Sequence, residues 1–152
     1  MAVVPRSDKA FEHAHKILRQ DREFVLEVVR KNGNSLKFAH NVLKGDREVV
    51  MEAVSHNGMA LQHAHESLRQ DRDFVLEAVK TSGCFVSALK FAHDVLTGDR
   101  EVVMEAVKRH GTALEHAHKN LRQDREVVMA AVMQNVNALK HADKGTVANL
   151  IS

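Results

Sequence analysis

The chain has no tryptophan, no tyrosine, a single cysteine and only six phenylalanines among its 152 residues. Each shortage excludes something. So few rings leave few platforms on which bases or sugars could stack. A lone Cys84 cannot close an internal disulfide, which favours a reducing, intracellular compartment, cytoplasmic or organellar. No run of about 18 apolar residues exists, so no membrane span is expected. The segment Met1–Ser7 lacks the apolar stretch of a signal peptide and is too short for a transit peptide. No HExxH motif or Cys/His cluster suggests a metal centre, and no cofactor is implied. Cys84 has no His/Asn company that would make it a nucleophile.

Charge of one sign is missing too. The formal net charge is +2, with both signs interleaved along the chain. That is not the concentrated basic field of a dedicated nucleic-acid binder. The abundant residue is histidine, with eleven copies whose protonation would add eleven charges.

What the chain does have is a beat. Asp-Arg recurs at Asp21-Arg22, Asp46-Arg47, Asp71-Arg72, Asp99-Arg100 and Asp124-Arg125, spaced by 25, 25, 28 and 25 residues. A fixed short period means one small unit copied and stacked. In the unit beginning at Asp46, the aspartate stands where a helix N-cap belongs and Glu48 complements the positive end of the helix dipole. Val49, Val50, Met51, Ala53 and Val54 cover roughly 200° of that helix, so it must be covered on two sides. Gly58 follows as a left-handed terminator, matched by Gly33, Gly83 and Gly111.

A second helix of roughly 10–11 residues is expected after each glycine, with the narrow stripe Leu36/Ala39/Leu43 and its equivalents facing inward. The fold expected is all-α: a solenoid of about five 25-residue helical hairpins, about eleven short helices. A leader at 1–7 precedes the repeats at 8–144, beginning with a helix at about 8–19. A cap at 145–152 follows a partial helix at about 137–144. Val136 stands at the last glycine position and Asp143 at the last histidine position. A longer period of about 50 overlies the short one, since Leu36-Lys-Phe-Ala-His40 returns as Leu89-Lys-Phe-Ala-His93 while His-Ala-His recurs at 13–15, 63–65 and 116–118.

The pattern D-R-E-x-V-x-x-A-V-x-x-x-G-x-A-L-x-x-A-x-x-x-L, paired into blocks of about 50, resembles the repeat family known as domain of unknown function 4116, from about Phe11 to Ala142. The resemblance implies an α-helical repeat fold and no established activity. The stretch Val50…Val54-Ser-His-Asn57-Gly58…Ala60-Leu61 is also similar to the longer helix–Asn-Gly–helix units of TAL-effector DNA-binding repeats.

Three features could carry function. The column His15, His40, His65, His93 and His118 reads either as a metal or pH ladder or as half-buried rings bonded to a neighbouring loop carbonyl or Asp cap. The second reading is preferred, because residues at i and i+2 of a helix point about 200° apart and cannot share a metal. The row Phe38/Val42, His63/Ser67, Phe91/Val95, His116/Asn120 alternates apolar and polar, as gap-filling core or as a striped partner surface. The insert around Cys84, Phe85, Val86 and Ser87 adds three residues, as an extra helical turn or as a docking knob. The expected role is a non-catalytic scaffold or adaptor binding another protein, within or outside a larger assembly, with Phe38, His63, Phe85, Val86, Phe91 and His116 as partner-binding candidates. The alternative is a nucleic-acid-binding helical repeat that uses its loops and helix N-termini.

Overall fold

The computed structural model describes residues 11–13, 16–81 and 85–152, the side chains of 85–87 excepted. The expected leader 1–7, most of the first repeat's start, His15, Gly83 and Cys84 lie outside the described residues. Every described element is helical, and none is long and apolar enough to cross a membrane. Five ten-residue helices carry the stack: α1 (Arg22–Lys31), α3 (Arg47–His56), α5 (Arg72–Thr81), α8 (Arg100–Arg109) and α10 (Arg125–Gln134). Asp46, Asp99 and Asp124 each accept from the backbone N–H groups two and three residues on, as N-caps do, and Asp21 accepts from Phe24.

The wide apolar face is buried on both sides. Val49, Val50, Ala53 and Val54 are at 0% exposure, as are Val102, Val103, Ala106 and Val107. The three inner long helices, α3, α5 and α8, are each sandwiched between two long-helix neighbours in the stack.

The return segment differs from the single helix expected. It is split into a six-residue 3-10 helix, a break, and a short α-helix. The 3-10 helices are η1 (Gly33–Phe38), η2 (Gly58–His63), η3 (Gly111–His116) and η4 (Val136–His141). The short helices are α2 (Asn41–Lys44), α4 (Glu66–Gln70), α7 (Asp94–Thr97) and α9 (Lys119–Gln123). The break falls at the alanine–histidine pair, where Ala39 and His40 take extended angles (ψ 153° and 148°). The histidine N–H turns away from its own segment and donates across the repeat boundary. His40 reaches the Arg19 carbonyl at 2.9 Å, His65 reaches Lys44 at 2.8 Å, His93 reaches Arg69 at 3.0 Å and His118 reaches Thr97 at 2.8 Å. A bond within the segment is thus exchanged for one that ties repeats together. The stripe survives the break, since Leu36, Leu61, Leu89 and Leu114 are at 0% exposure.

The turn glycines also have a different cause from the one expected. None of the described glycines has a positive φ. The chain turns instead at Asn32, Asn57, His110 and Asn135 in extended geometry, three of which accept from the N–H two residues on through their own side chains. Glycine is required by proximity. A β-carbon on Gly33 would lie 2.2 Å from the Ala53 carbonyl oxygen, and one on Gly111 would lie 2.2 Å from that of Ala131. The next repeat's helix sits on each turn.

The three-residue insert changes helix type. Phe85–Phe91 is a seven-residue α-helix, α6, where the other repeats have 3-10 turns. Of the expected first helix, residues 11 and 12 are helical and 17–20 form turns. At the other end the chain forms an eight-residue helix, α11 (Lys144–Ile151). Its Thr146 hydroxyl bonds the Gln123 carbonyl at 3.2 Å, and Leu150 packs on the core.

Candidate interaction surfaces

Two faces of the stack have opposite electrostatic character. The first is made by the long-helix N-termini. Arg22 reaches Asp46 at 2.9 Å and also Glu48; Arg72 reaches Asp99 at 2.7 Å and also Glu101; Arg100 reaches Asp124 at 3.1 Å and also Glu126. Each aspartate therefore caps its own helix and accepts the arginine of the repeat before it. The Arg22 hydrogen bond holds the Asp46 carboxyl below its ordinary range, the Val49 and Glu48 N–H groups adding to it. At Asp99 and Asp124 partial burial pushes upward, but the arginine and the backbone donors outweigh it and both are lowered. Exposed pairs of this kind contribute modestly to stability, yet they fix register.

The ladder bends once. Asp73 replaces the glutamate of the other repeats, so Arg47 pairs with Asp71 at 3.0 Å and swings to Glu77 at 3.5 Å, its guanidinium lying 5.0 Å from the Phe74 ring centre. Beside it an open cleft of about 410 Å³ lies between α3 and α5, lined by Met51, Glu52, Ser55 and Thr81 among others. No group of three or more His, Cys, Asp or Glu side chains converges on a metal-sized site among the described residues.

The second face is made by the ends of the 3-10 helices and by the short α-helices. The histidine column lies here in a role not anticipated. The Nδ1 atoms of His40, His65, His93 and His118 accept from the backbone N–H two residues on, at 3.3–3.4 Å, so each ring is the N-cap of a short helix. Asp143 does the same for α11 and donates its own N–H to the Arg122 carbonyl at 3.0 Å. That explains its place in the column.

Of the candidate partner residues, Phe38 and Phe91 are half-buried against the core, each with a lysine ammonium over its ring at 4.5 and 5.4 Å. His63 and His116 take the equivalent places and are half-buried. Burial lowers His63, helped by Lys44 and Lys37. Burial also lowers His116, where Lys90 and His141 add to the effect and Glu115 opposes it. Phe38 and Val42 do not share a continuous helical face, because the break separates them, and Val42 and Val95 are each 73% exposed. Phe85 and Val86 lie in the first turn of α6, with their side chains outside the described residues.

Sequence reasoning passed over another file. Arg19, Lys44, Arg69 and Arg122 stand two residues before four of the five Asp-Arg pairs, with Thr97 in the fourth place. The signal was available as a column basic in four units of five. Arg19 borders Phe38–Asn41 and Arg122 borders His141–Lys144. Among the described residues outside the five long helices and their capping aspartates, ten Lys or Arg face five Asp or Glu, whereas the long helices together with those caps carry fourteen Asp or Glu against ten Lys or Arg.

The family model "Domain of unknown function (DUF4116)" matches residues 1–44, 46–97 and 99–145, and the chain belongs to that family. The second and third matches begin at Asp46 and Asp99, so each spans a pair of 25-residue units. Neither the curated proteins nor the solved structures provide a match.

Proposed function

We propose that this chain, a member of a family whose function is not established, is a non-catalytic helical-repeat scaffold that holds another protein along its length. One observation carries the reading: successive repeats are joined by the same three links in the same register. These are the histidine N–H to carbonyl bond, the Arg–Asp rung and, where it is described, the turn glycine seated under the next helix. A surface fixed in this way loses little conformational freedom when a partner arrives. Equivalent side chains recur once per repeat, which suits an elongated partner better than a small substrate.

The same recurrence argues against catalysis. Groups present in four or five equivalent copies serve the stack, and the cleft beside Met51 is open, its charged lining residues Arg47, Glu48, Glu52 and Glu77 already engaged in ion pairs. The test is affinity capture of the tagged chain from its native source, with cross-linking, gel filtration and mass spectrometry. A companion protein in fixed stoichiometry that stays with the chain through gel filtration is the expected result. A chain that elutes alone contradicts the reading.

A further inference from the structure

Two columns of cations recur along the repeats. Arg22, Arg47, Arg72 and Arg100 are all ion-paired across repeats. Arg19, Lys44, Arg69 and Arg122 have no carboxylate partner among the described residues. The Nε atoms of Arg19, Arg69 and Arg122 are buried without an acceptor. Such guanidinium groups have given up part of their hydration and gained no bond for it, so an arriving carboxylate has more to contribute here than at a fully hydrated cation.

The histidine caps reinforce this. With Nδ1 occupied by a backbone N–H, the proton of a neutral ring resides on Nε2, and His40, His65 and His118 present a row of N–H donors on the same face. Donors and cations predominate. Crowding of like charge is felt already, since burial and then Arg19 lower Lys44.

We propose that this file is the docking track for an extended acidic segment of a partner polypeptide carrying a carboxylate at about every third residue. The inference rests on the scaffold reading for the partner's being a protein, and adds its chemistry and its site. Spacing supports it. Stacked helices lie about 8–10 Å apart, so the file offers one cation about every 10 Å from Arg19 to Arg69, and Thr97 leaves one step uncharged before Arg122. An extended chain advances about 3.3 Å per residue, and three residues span the same distance. Glu66, Asp94, Glu115 and Asp143 interrupt the basic face. They would repel a continuous phosphate backbone, but they tolerate a peptide whose charges are spaced. The chain also lacks Trp and Tyr, and Phe38 and Phe91 are half-buried, which removes the stacking platforms of single-strand binders.

The test is fluorescence anisotropy with a labelled peptide of about 15 residues bearing Glu at every third position in a Ser/Gly background. Controls are its Gln counterpart, an isomer with the glutamates contiguous, and a single-stranded oligonucleotide of equal length. At about 50 mM salt the spaced peptide binds roughly tenfold or more tightly than either peptide control, and weakens at about 200 mM. The quadruple variant Arg19→Gln, Lys44→Gln, Arg69→Gln, Arg122→Gln loses that binding, while Arg19→Lys, Arg69→Lys, Arg122→Lys keeps most of it. Circular dichroism verifies folding. Should the quadruple variant lose its helical signal, Lys44→Gln and Arg122→Gln singly carry the same comparison.

Equal binding by wild type and the glutamine variants overturns the track, as does no binding of any peptide. Tighter binding of the oligonucleotide than of the spaced peptide overturns it in favour of nucleic acid. A companion captured from the native source that binds wild type and quadruple variant alike also sinks the track but leaves the scaffold reading standing.

Discussion

The α-carbon of Gly33 lies so close to Ala53 that a β-carbon would stand 2.2 Å from the Ala53 carbonyl oxygen, and Gly111 stands in the same relation to Ala131. Both contacts cross from one repeat to the next. Gly33→Ala and Gly111→Ala should therefore each destabilise the protein by about 1–3 kcal/mol through overpacking. Val136 occupies the equivalent turn of the repeat that starts at Asp124 and is 65% exposed. Val136→Gly should change stability by less than about 1 kcal/mol, a backbone-entropy effect alone. Urea unfolding of the three variants checks the contrast, and equal losses at all three sites would contradict it.

How far the sequence could be read is clear from these glycines. The beat located the turns, and the paired valines marked helices covered on both sides. The cause was misassigned, because a glycine after a helix signals left-handed geometry and close approach equally well, and only the position of Ala53 distinguishes them. The break at Ala39-His40 was hidden for a similar reason. Leu36, Ala39 and Leu43 have helical spacing, and nothing local reveals that the His40 N–H is claimed by Arg19 from the preceding repeat. The basic file was legible in the column Arg19, Lys44, Arg69 and Arg122 but was masked by a net charge near zero. Its face is balanced by the acidic long helices, so composition alone averages it away.

Histidine capping yields a substitution series. His118→Ala removes the Nδ1 acceptor from the start of α9 and should weaken the fold by about 0.5–1.5 kcal/mol. His118→Asp supplies the acceptor that Asp143 already supplies to α11, and should stay within about 0.5 kcal/mol of wild type. Thermal or urea unfolding of both variants decides the point. An aspartate variant as weak as the alanine one would show that the ring does something other than cap.

Acid sensitivity should come from two sets of groups. His63 and His116 are lowered, chiefly by burial, so the folded state favours their neutral rings. The unfolded chain takes up protons first, from about pH 6.5 downward. The stability these rings contribute is complete above that point and is lost as pH falls through their depressed values. The melting temperature should therefore drop between pH 7.5 and 5, and His63→Gln with His116→Gln should flatten that drop. A slope unchanged by the double variant would remove these rings as its source.

The capping aspartates act at lower pH. Asp46, Asp99 and Asp124 are held below the ordinary carboxylate value, so their contribution is fully present above about pH 4 and is lost as pH falls below it. Asp99→Asn keeps a capping oxygen but removes the charge that Arg72 grips. At neutral pH it should cost about 0.5–1.5 kcal/mol, and the gap to wild type should narrow near pH 3. Parallel unfolding curves at both pH values would contradict the assignment.

The most direct test of the interlocked stack is a through-hydrogen-bond NMR coupling at His65 in perdeuterated protein. The backbone nitrogen of His65 should couple to the carbonyl carbon of Lys44, across the repeat boundary. A coupling to Leu61 instead would mean an unbroken helix through Ala64 and His65, and would contradict the cross-boundary bond, the capping role and the architecture built on them.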